Sequence, residues 1–139
     1  MKIKYKKLSA LAKEPTYATD GSGCFDLYCA AFGPEYVFQT GISFEIPPGF
    51  VMLVFSRSGH AFKHNVRLAN CVGVIDSDYR GELMIKLYPD RTNLPVLDIH
   101  VGDRIAQAMI IPIQKIGFDE VEELDYTDRG DKGFGSTGL

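Results

Sequence analysis

The last eleven residues of the chain offer the first chemistry. Arg129, Gly133, Phe134, Gly135, Ser136 and Thr137 bring together a guanidinium fork, permissive backbone that can carry N–H groups to an anion, two hydroxyls and one flat ring. That set suits a phosphorylated ligand with a planar base. It is not a Walker A loop, because Lys132 precedes Gly133 without a following Ser or Thr, and no helix follows. On composition alone, a disordered tail explains the segment equally well. A second group lies in SRSGHAFKHN, residues 56–65, where Arg57, Ser58 and Gly59 follow an apolar run. They place a charged fork, a hydroxyl and open backbone where a strand leaves its sheet, although a lone arginine is more often a structural ion-pair partner. The third group, NCVGVIDSDYRGELMIKL at 70–87, reads as a β-hairpin: a strand, a tight acidic turn and a return strand, with Asp76 at the bend. Unpaired backbone groups along such a rim can read the edge of a nucleobase. Asp76 and Asp78 are also ordinary turn formers.

Short strands have to position these groups. Turn signals recur at 20–23, 32–35, 47–49, 76–81, 89–95 and 101–103. Between them lie apolar runs of strand length: Cys24 to Ala30, Ile42 to Ile46, Phe50 to Phe55, Cys71 to Ile75, Leu83 to Tyr88 and Ile105 to Ile113. Regular short strands between turns predict an all-β sandwich, jelly roll or barrel. Helix is expected for a turn or two, near Ser58 to Asn65. With 139 residues, 45% hydrophobic and 24% charged, the chain has the size and composition of one globular domain. The body is expected over 1–123 and a C-terminal arm over 124–139, because the arm's one large apolar side chain before Leu139 is Phe134, too little to offset its ordering entropy unaided.

Charge narrows the partners. The net charge is −3, and seven acids fall between Asp119 and Asp131 against Arg129 alone. A long nucleic acid is therefore not an expected partner, since duplex affinity needs many cations. Lys2, Lys4, Lys6 and Lys7 alternate with Ile3 and Tyr5 and read as the wet face of a first strand. No secretory pattern or membrane-length apolar run is visible, so the reading is intracellular and cytoplasmic, with nuclear or phage-infected settings open. Cys24, Cys29 and Cys71 lack metal or disulfide spacing and are expected as reduced core residues. His60 and His64 are expected as solvated loop histidines.

Five segments, in order, are then GSGCFDLYCA (21–30), SRSG (56–59), GVIDSDYRGEL (73–83), GDRIAQ (102–107) and RGDKGFGSTG (129–138). Through them the chain resembles the trimeric deoxyuridine triphosphatases (dUTPases) over nearly its whole length. The resemblance implies a jelly-roll fold, a homotrimer, and active sites at subunit boundaries closed by another subunit's arm. It implies hydrolysis of dUTP to dUMP and pyrophosphate, which supplies dUMP and keeps uracil out of DNA, with Mg2+ held mainly by the phosphates and water. Asp76 matches the general base that directs water at the α-phosphorus. Tyr79 matches the ring against the deoxyribose that leaves no room for a 2′-hydroxyl. Asn70, Gly73 and Met84 match the uracil pocket. Ser58, Gly59 and Gln107 match phosphate contacts, and Arg57 matches a residue near the phosphates that pairs with Asp26. In the arm, Arg129, Gly135, Ser136 and Thr137 match the outer phosphate clamp and Phe134 the lid over uracil.

Two departures stand out. Cys24 and Phe25 occupy a turn where the family usually has Gly before its aromatic, and Ser56 replaces a common proline, which is expected to loosen the approach to Arg57. The alternatives are a dCTP deaminase-related enzyme, for which a catalytic glutamate motif is lacking, and a non-hydrolysing nucleotide-binding or regulatory relative.

Overall fold

Residues 1–89 and 98–133 are described in this computed structural model, and they form eleven short strands and one helix. In chain order these are β1 (Lys4–Lys7), β2 (Thr16–Tyr17), β3 (Phe25–Tyr28), β4 (Ala31–Phe32), β5 (Val37–Gln39), β6 (Ile42–Glu45) and β7 (Phe50–Phe55). Then come α1 (Ser58–His64), β8 (Val66–Leu68), β9 (Val72–Ile75), β10 (Met84–Pro89) and β11 (Arg104–Pro112). One sheet has the order β2-β3-β11-β7-β9, a second β4-β5-β10-β8, and β1 pairs with β6 as a ribbon. Every strand pairing among the described residues is antiparallel. The result is a jelly-roll-like all-β sandwich.

Burial explains why these runs are strands. Along β10, Ile85 and Leu87 point inward while Met84, Lys86 and Tyr88 point out, the period of two that half-buried strands require. At the centre of the larger sheet, β7 and β11 are apolar on both faces, and Met52, Val54, Ile105, Ala106 and Ala108 are almost wholly buried. Leu27, Ile42, Ile46, Leu68, Ile85 and Leu87 complete the core between the sheets. A bulge at Ile105 sets two residues of β11 against one of β3 and turns Arg104 toward Asp26.

Several expectations need correction. The segment 70–87 is not a hairpin: β9 is the edge of one sheet while β10 lies inside the other, so the two strands diverge from the turn between them. Only Cys29 is a core residue; Cys24 is partly buried and Cys71 exposed, all three being free thiols. His60 and His64 lie on α1 and not in a loop, and His60 is half-buried. Of the first strand, all four residues are exposed, and Lys4 Nζ meets Glu45 at 2.9 Å. Among the described residues, no helix is long and apolar enough to cross a membrane. Beyond β11, every described residue from Ile113 to Gly133 is exposed. Phe134, Gly135, Ser136 and Thr137 lie outside the described residues, as does most of the turn expected at 89–95.

Candidate active site

Two pockets hold the residues that the sequence singles out, one of them at strand β7. Past its C-terminal end, Arg57, Ser58, Gly59, Asp26, Arg104 and Gln107 line a cavity of about 400 Å³, with Cys24 on its rim. Helix α1 begins there and stops at Asn65, whose left-handed backbone (φ 52°) lets its N–H close on Ala61 O. Asp26, 8% exposed, anchors the pocket. Its Oδ1 lies 3.5 Å from Arg57 Nε, and its Oδ2 accepts from Arg104 Nη1 at 3.3 Å. Arg57 Nη1 also donates to Arg104 O at 3.2 Å and lies 3.2 Å from His60 Nε2. Two guanidiniums held by one carboxylate leave a net positive wall, which is what an anion requires. Burial first, then Arg57 and His64, bring the His60 imidazole down from 6.5 to about 4, with Arg104 acting the same way and Asp103 opposing.

Ser56 does not loosen this approach. Its Oγ accepts from Leu68 N at 2.9 Å, and its carbonyl accepts from Gln107 Nε2 at 3.1 Å, tying β7 to both β8 and β11. The Asp26→Asn variant would leave Arg57 and Arg104 without a counter-ion. We expect it to lower stability by about 2 kcal/mol in urea unfolding, below the cost of breaking a fully buried pair because Arg104 stays half exposed.

The second pocket opens where β9 and β10 diverge. Asn70, Gly73, Ile75, Met84, Ile85 and Lys86 are among the residues around a cleft of about 270 Å³. Its mouth, about 230 Å³, is lined by Val74, Asp76, Tyr79, Glu82 and Met84. β9 has no strand partner beyond β7, and Met84 and Ile85 pair only with β5, so among the described residues two strand edges face the cleft without a ladder between them. Gly73 forms part of the floor because a Cβ there would stand 3.1 Å from Val54 Cβ. The turn that follows is pinned from within. Tyr79 N donates to Asp76 O at 3.2 Å, and Arg80 Nη1 donates to Ser77 O at 2.6 Å and to Tyr79 O at 3.0 Å. Tyr79 Oη donates to Glu82 O at 2.9 Å, so its ring lies across Gly81, where any Cβ would collide with the hydroxyl. Asp76 itself is exposed, a carboxylate open to water.

The two pockets share no lining residue. Ile75 pairs with Met52, which puts Asp76 opposite Val51, six residues before Arg57, so the two backbones stand roughly 20 Å apart along the strand direction. The fold thus brings Asn70, Gly73, Met84, Tyr79 and Asp76 together, and separately Asp26, Arg57, Ser58, Gly59 and Gln107. Among the described residues Arg129 lines neither pocket, and its Nε donates to Lys132 O in a local turn. Arg104 lines the pocket and His60 contacts Arg57, and the sequence reading gave neither a role. Arg104 could have been found from its place in the same short segment as Gln107, and His60 from its i,i+3 spacing from Arg57 at the start of the expected helix.

Comparison with known proteins gives one consistent result. The dUTPase family model matches residues 11–138. The deoxyuridine 5′-triphosphate nucleotidohydrolase of Nautilia profundicola is 42% identical, with 99% of each chain covered. That of Helicobacter pylori strain 26695 is also 42% identical, with 100% of this chain and 98% of the relative covered. A dUTPase variant of Staphylococcus bacteriophage 80alpha, solved with dUpNHpp, superposes with a TM-score of 0.83 at 28% identity, covering 99% of each chain. A phage phi11 dUTPase variant, described with a coordinated structural Mg(II) ion, shares the fold with a TM-score of 0.77 at 24% identity, covering 91% of this chain and all of that one.

Proposed function

The chain belongs to the dUTPase family of hydrolases that act on acid anhydrides, and we propose that it hydrolyses dUTP with Asp76 directing water at the α-phosphorus. The observation that carries this reading is the exposed Asp76 carboxylate at the mouth of a cleft walled by two unpaired strand edges. Uracil presents an acceptor–donor–acceptor edge, and fixed backbone N–H and C=O groups on β9 and β10 can match it. Cytosine reverses part of that pattern, so it would leave backbone groups unpaired, a large penalty in a confined pocket. The Asn70 amide can rotate to serve either base, which makes the rigid backbone at Gly73 and Met84 the selective element. The 5-methyl of thymine would meet the apolar floor.

Tyr79 sits against the sugar in this reading, its ring fixed by Glu82 O and by the absence of a side chain at Gly81. The Tyr79→Ala variant is expected to reduce the preference for dUTP over UTP by roughly tenfold in kcat/KM, since a single excluded hydroxyl is worth that order. Parallel kinetics with the two nucleotides check it.

Arg57, Ser58, Gly59 and Gln107 would receive the phosphates, with Asp26 holding Arg57. An α-phosphorus beside Asp76 and outer phosphates beside Arg57 of the same chain would have to bridge a backbone separation of roughly 20 Å. Two P–O–P links do not span that. In this reading the site is assembled from more than one copy, with the Asp76 half and the Arg57 half coming from neighbours in a homotrimer. The arm, 124–139, would close it from a further copy, with Arg129, Gly135, Ser136 and Thr137 on the outer phosphates and Phe134 over the base.

Mg2+ fits as an ion carried on the triphosphate, because no group of three or more His, Cys, Asp or Glu among the described residues is arranged to hold one, and Asp26 is committed to two arginines. When bound, it would neutralise charge on the phosphate oxygens. The test is pyrophosphate release with dUTP, dCTP, dTTP and UTP. Turnover of dUTP alone is expected, whereas ammonia release from dCTP, or tight dUTP binding without turnover, would overturn the reading.

A further inference from the structure

His60 Nδ1 is the one buried side-chain polar atom without a hydrogen-bond partner among the described residues. A native fold seldom leaves such a group unpaired without a reason. The reason lies on the other side of the ring. Arg57 Nη1, 3.2 Å from His60 Nε2, can only donate. Nε2 must therefore present its lone pair, and the proton of the neutral ring must sit on Nδ1, where nothing accepts it. The imidazole gives up one hydrogen bond to make another.

We propose that His60 is a positioning residue, one turn along α1 from Arg57, whose neutral Nε2 aims the Arg57 guanidinium into the phosphate half of the site. The inference rests on reading that pocket as a phosphate site. The anchoring of Arg57 is complete in a specific sense. Its Nε faces Asp26 Oδ1 at 3.5 Å, and the two hydrogens of Nη1 serve Arg104 O and His60 Nε2. Three anchors fix the plane of the fork. Among the described residues Nη2 has no partner, so its two hydrogens are left for an anionic oxygen.

A neutral ring is essential to this arrangement. A protonated His60 would set N–H against N–H and add a cation beside Arg57 and His64 on its own element and Arg104 on β11. Asp103, before β11, and Asp26, on β3, are the acids on that side, and Asp26 is already engaged by both arginines. An apolar residue at position 60 would fill the space but leave one Nη1 hydrogen without an acceptor, freeing the fork to rotate. Glutamine can place its amide oxygen near the position of Nε2 and restore the contact.

The full-length protein is titrated with dUpNHpp and Mg2+ by calorimetry, as wild type, His60→Leu, His60→Gln and Arg57→Ala. His60→Leu is expected to weaken binding roughly tenfold, the order of one hydrogen bond to a charged group, while His60→Gln stays within about twofold of wild type. Equal binding by His60→Leu and wild type, with Arg57→Ala weakened, overturns the role of His60 alone. Equal weakening by the Leu and Gln variants points to packing and also overturns it. Unchanged binding by Arg57→Ala overturns the phosphate reading beneath it. Nitrogen NMR of the wild-type imidazole needs no variant to fold: an Nδ1–H tautomer is expected at pH 7, and an Nε2–H tautomer contradicts the proposal.

Discussion

The Asp76→Asn variant should lose dUTP turnover by about three orders of magnitude in kcat, with KM and the affinity for dUpNHpp little changed. The amide has the shape of the carboxylate and can still orient water, but it cannot take the proton that the water gives up on attacking phosphorus. Because Asp76 is exposed and its carbonyl, not its side chain, holds the following turn, the fold has no stake in the carboxylate. The melting temperature should therefore match wild type. Pyrophosphate release and calorimetric titration with dUpNHpp separate the two effects. A variant that keeps most of its turnover removes Asp76 from the chemistry, and one that loses binding in proportion makes it a binding residue.

Truncation after Asp128 should be nearly as severe. The residues removed include Arg129 and the whole run from Lys132 to Leu139. Every described residue from Ile113 to Gly133 is exposed, and the hydrogen bonds of Gly130 and Arg129 are local turns, so no described residue of the removed segment is tied to the core. We expect an unchanged melting temperature and oligomeric state, with kcat/KM reduced roughly a hundredfold or more. The arm's contribution in this account is to hold the phosphates and exclude water, which belongs to positioning. If truncation unfolds the body, the arm is a structural strand. If activity persists, the five-motif correspondence ends at the fourth.

The strands were legible wherever the apolar run was long and its burial simple. Phe50 to Phe55 is β7 to the residue, and Ile105 to Ile113 is β11 shifted by one. The turn or two of helix expected near Ser58 to Asn65 is α1, Ser58–His64. The relation of β9 to β10 was not. A strand, an acidic turn and a strand predict a hairpin, but ladder partners are chosen by distant packing: β9 pairs with β7 and β10 with β5 and β8. That difference creates the cleft, since a true hairpin would have spent on itself the backbone groups that now face the cleft. The turn at Glu35 and Tyr36 is another case. Both residues have positive φ (52° and 61°) without being Gly or Asn, so turn chemistry alone does not mark the geometry of the β4–β5 connection. His60 is a different case: its i,i+3 spacing from Arg57 is visible in sequence, and only its burial required the fold. The motif residues Asp26, Arg57, Asp76 and Gln107 were legible through their family pattern, while their division into two pockets required the fold.

That division yields the most direct measurement. Asp76→Asn lacks only the base half and Arg57→Ala only the phosphate half, so each alone should be inactive toward dUTP. Unfolded together in equal amounts and refolded, the two should form mixed assemblies in which about one quarter of the sites, half times half, receive an intact half from each neighbour. Recovery of about a quarter of wild-type pyrophosphate release is the expected result. No recovery above the separate variants, with mixed assemblies shown to be present, would mean that one chain supplies both halves to its own substrate and would contradict the account.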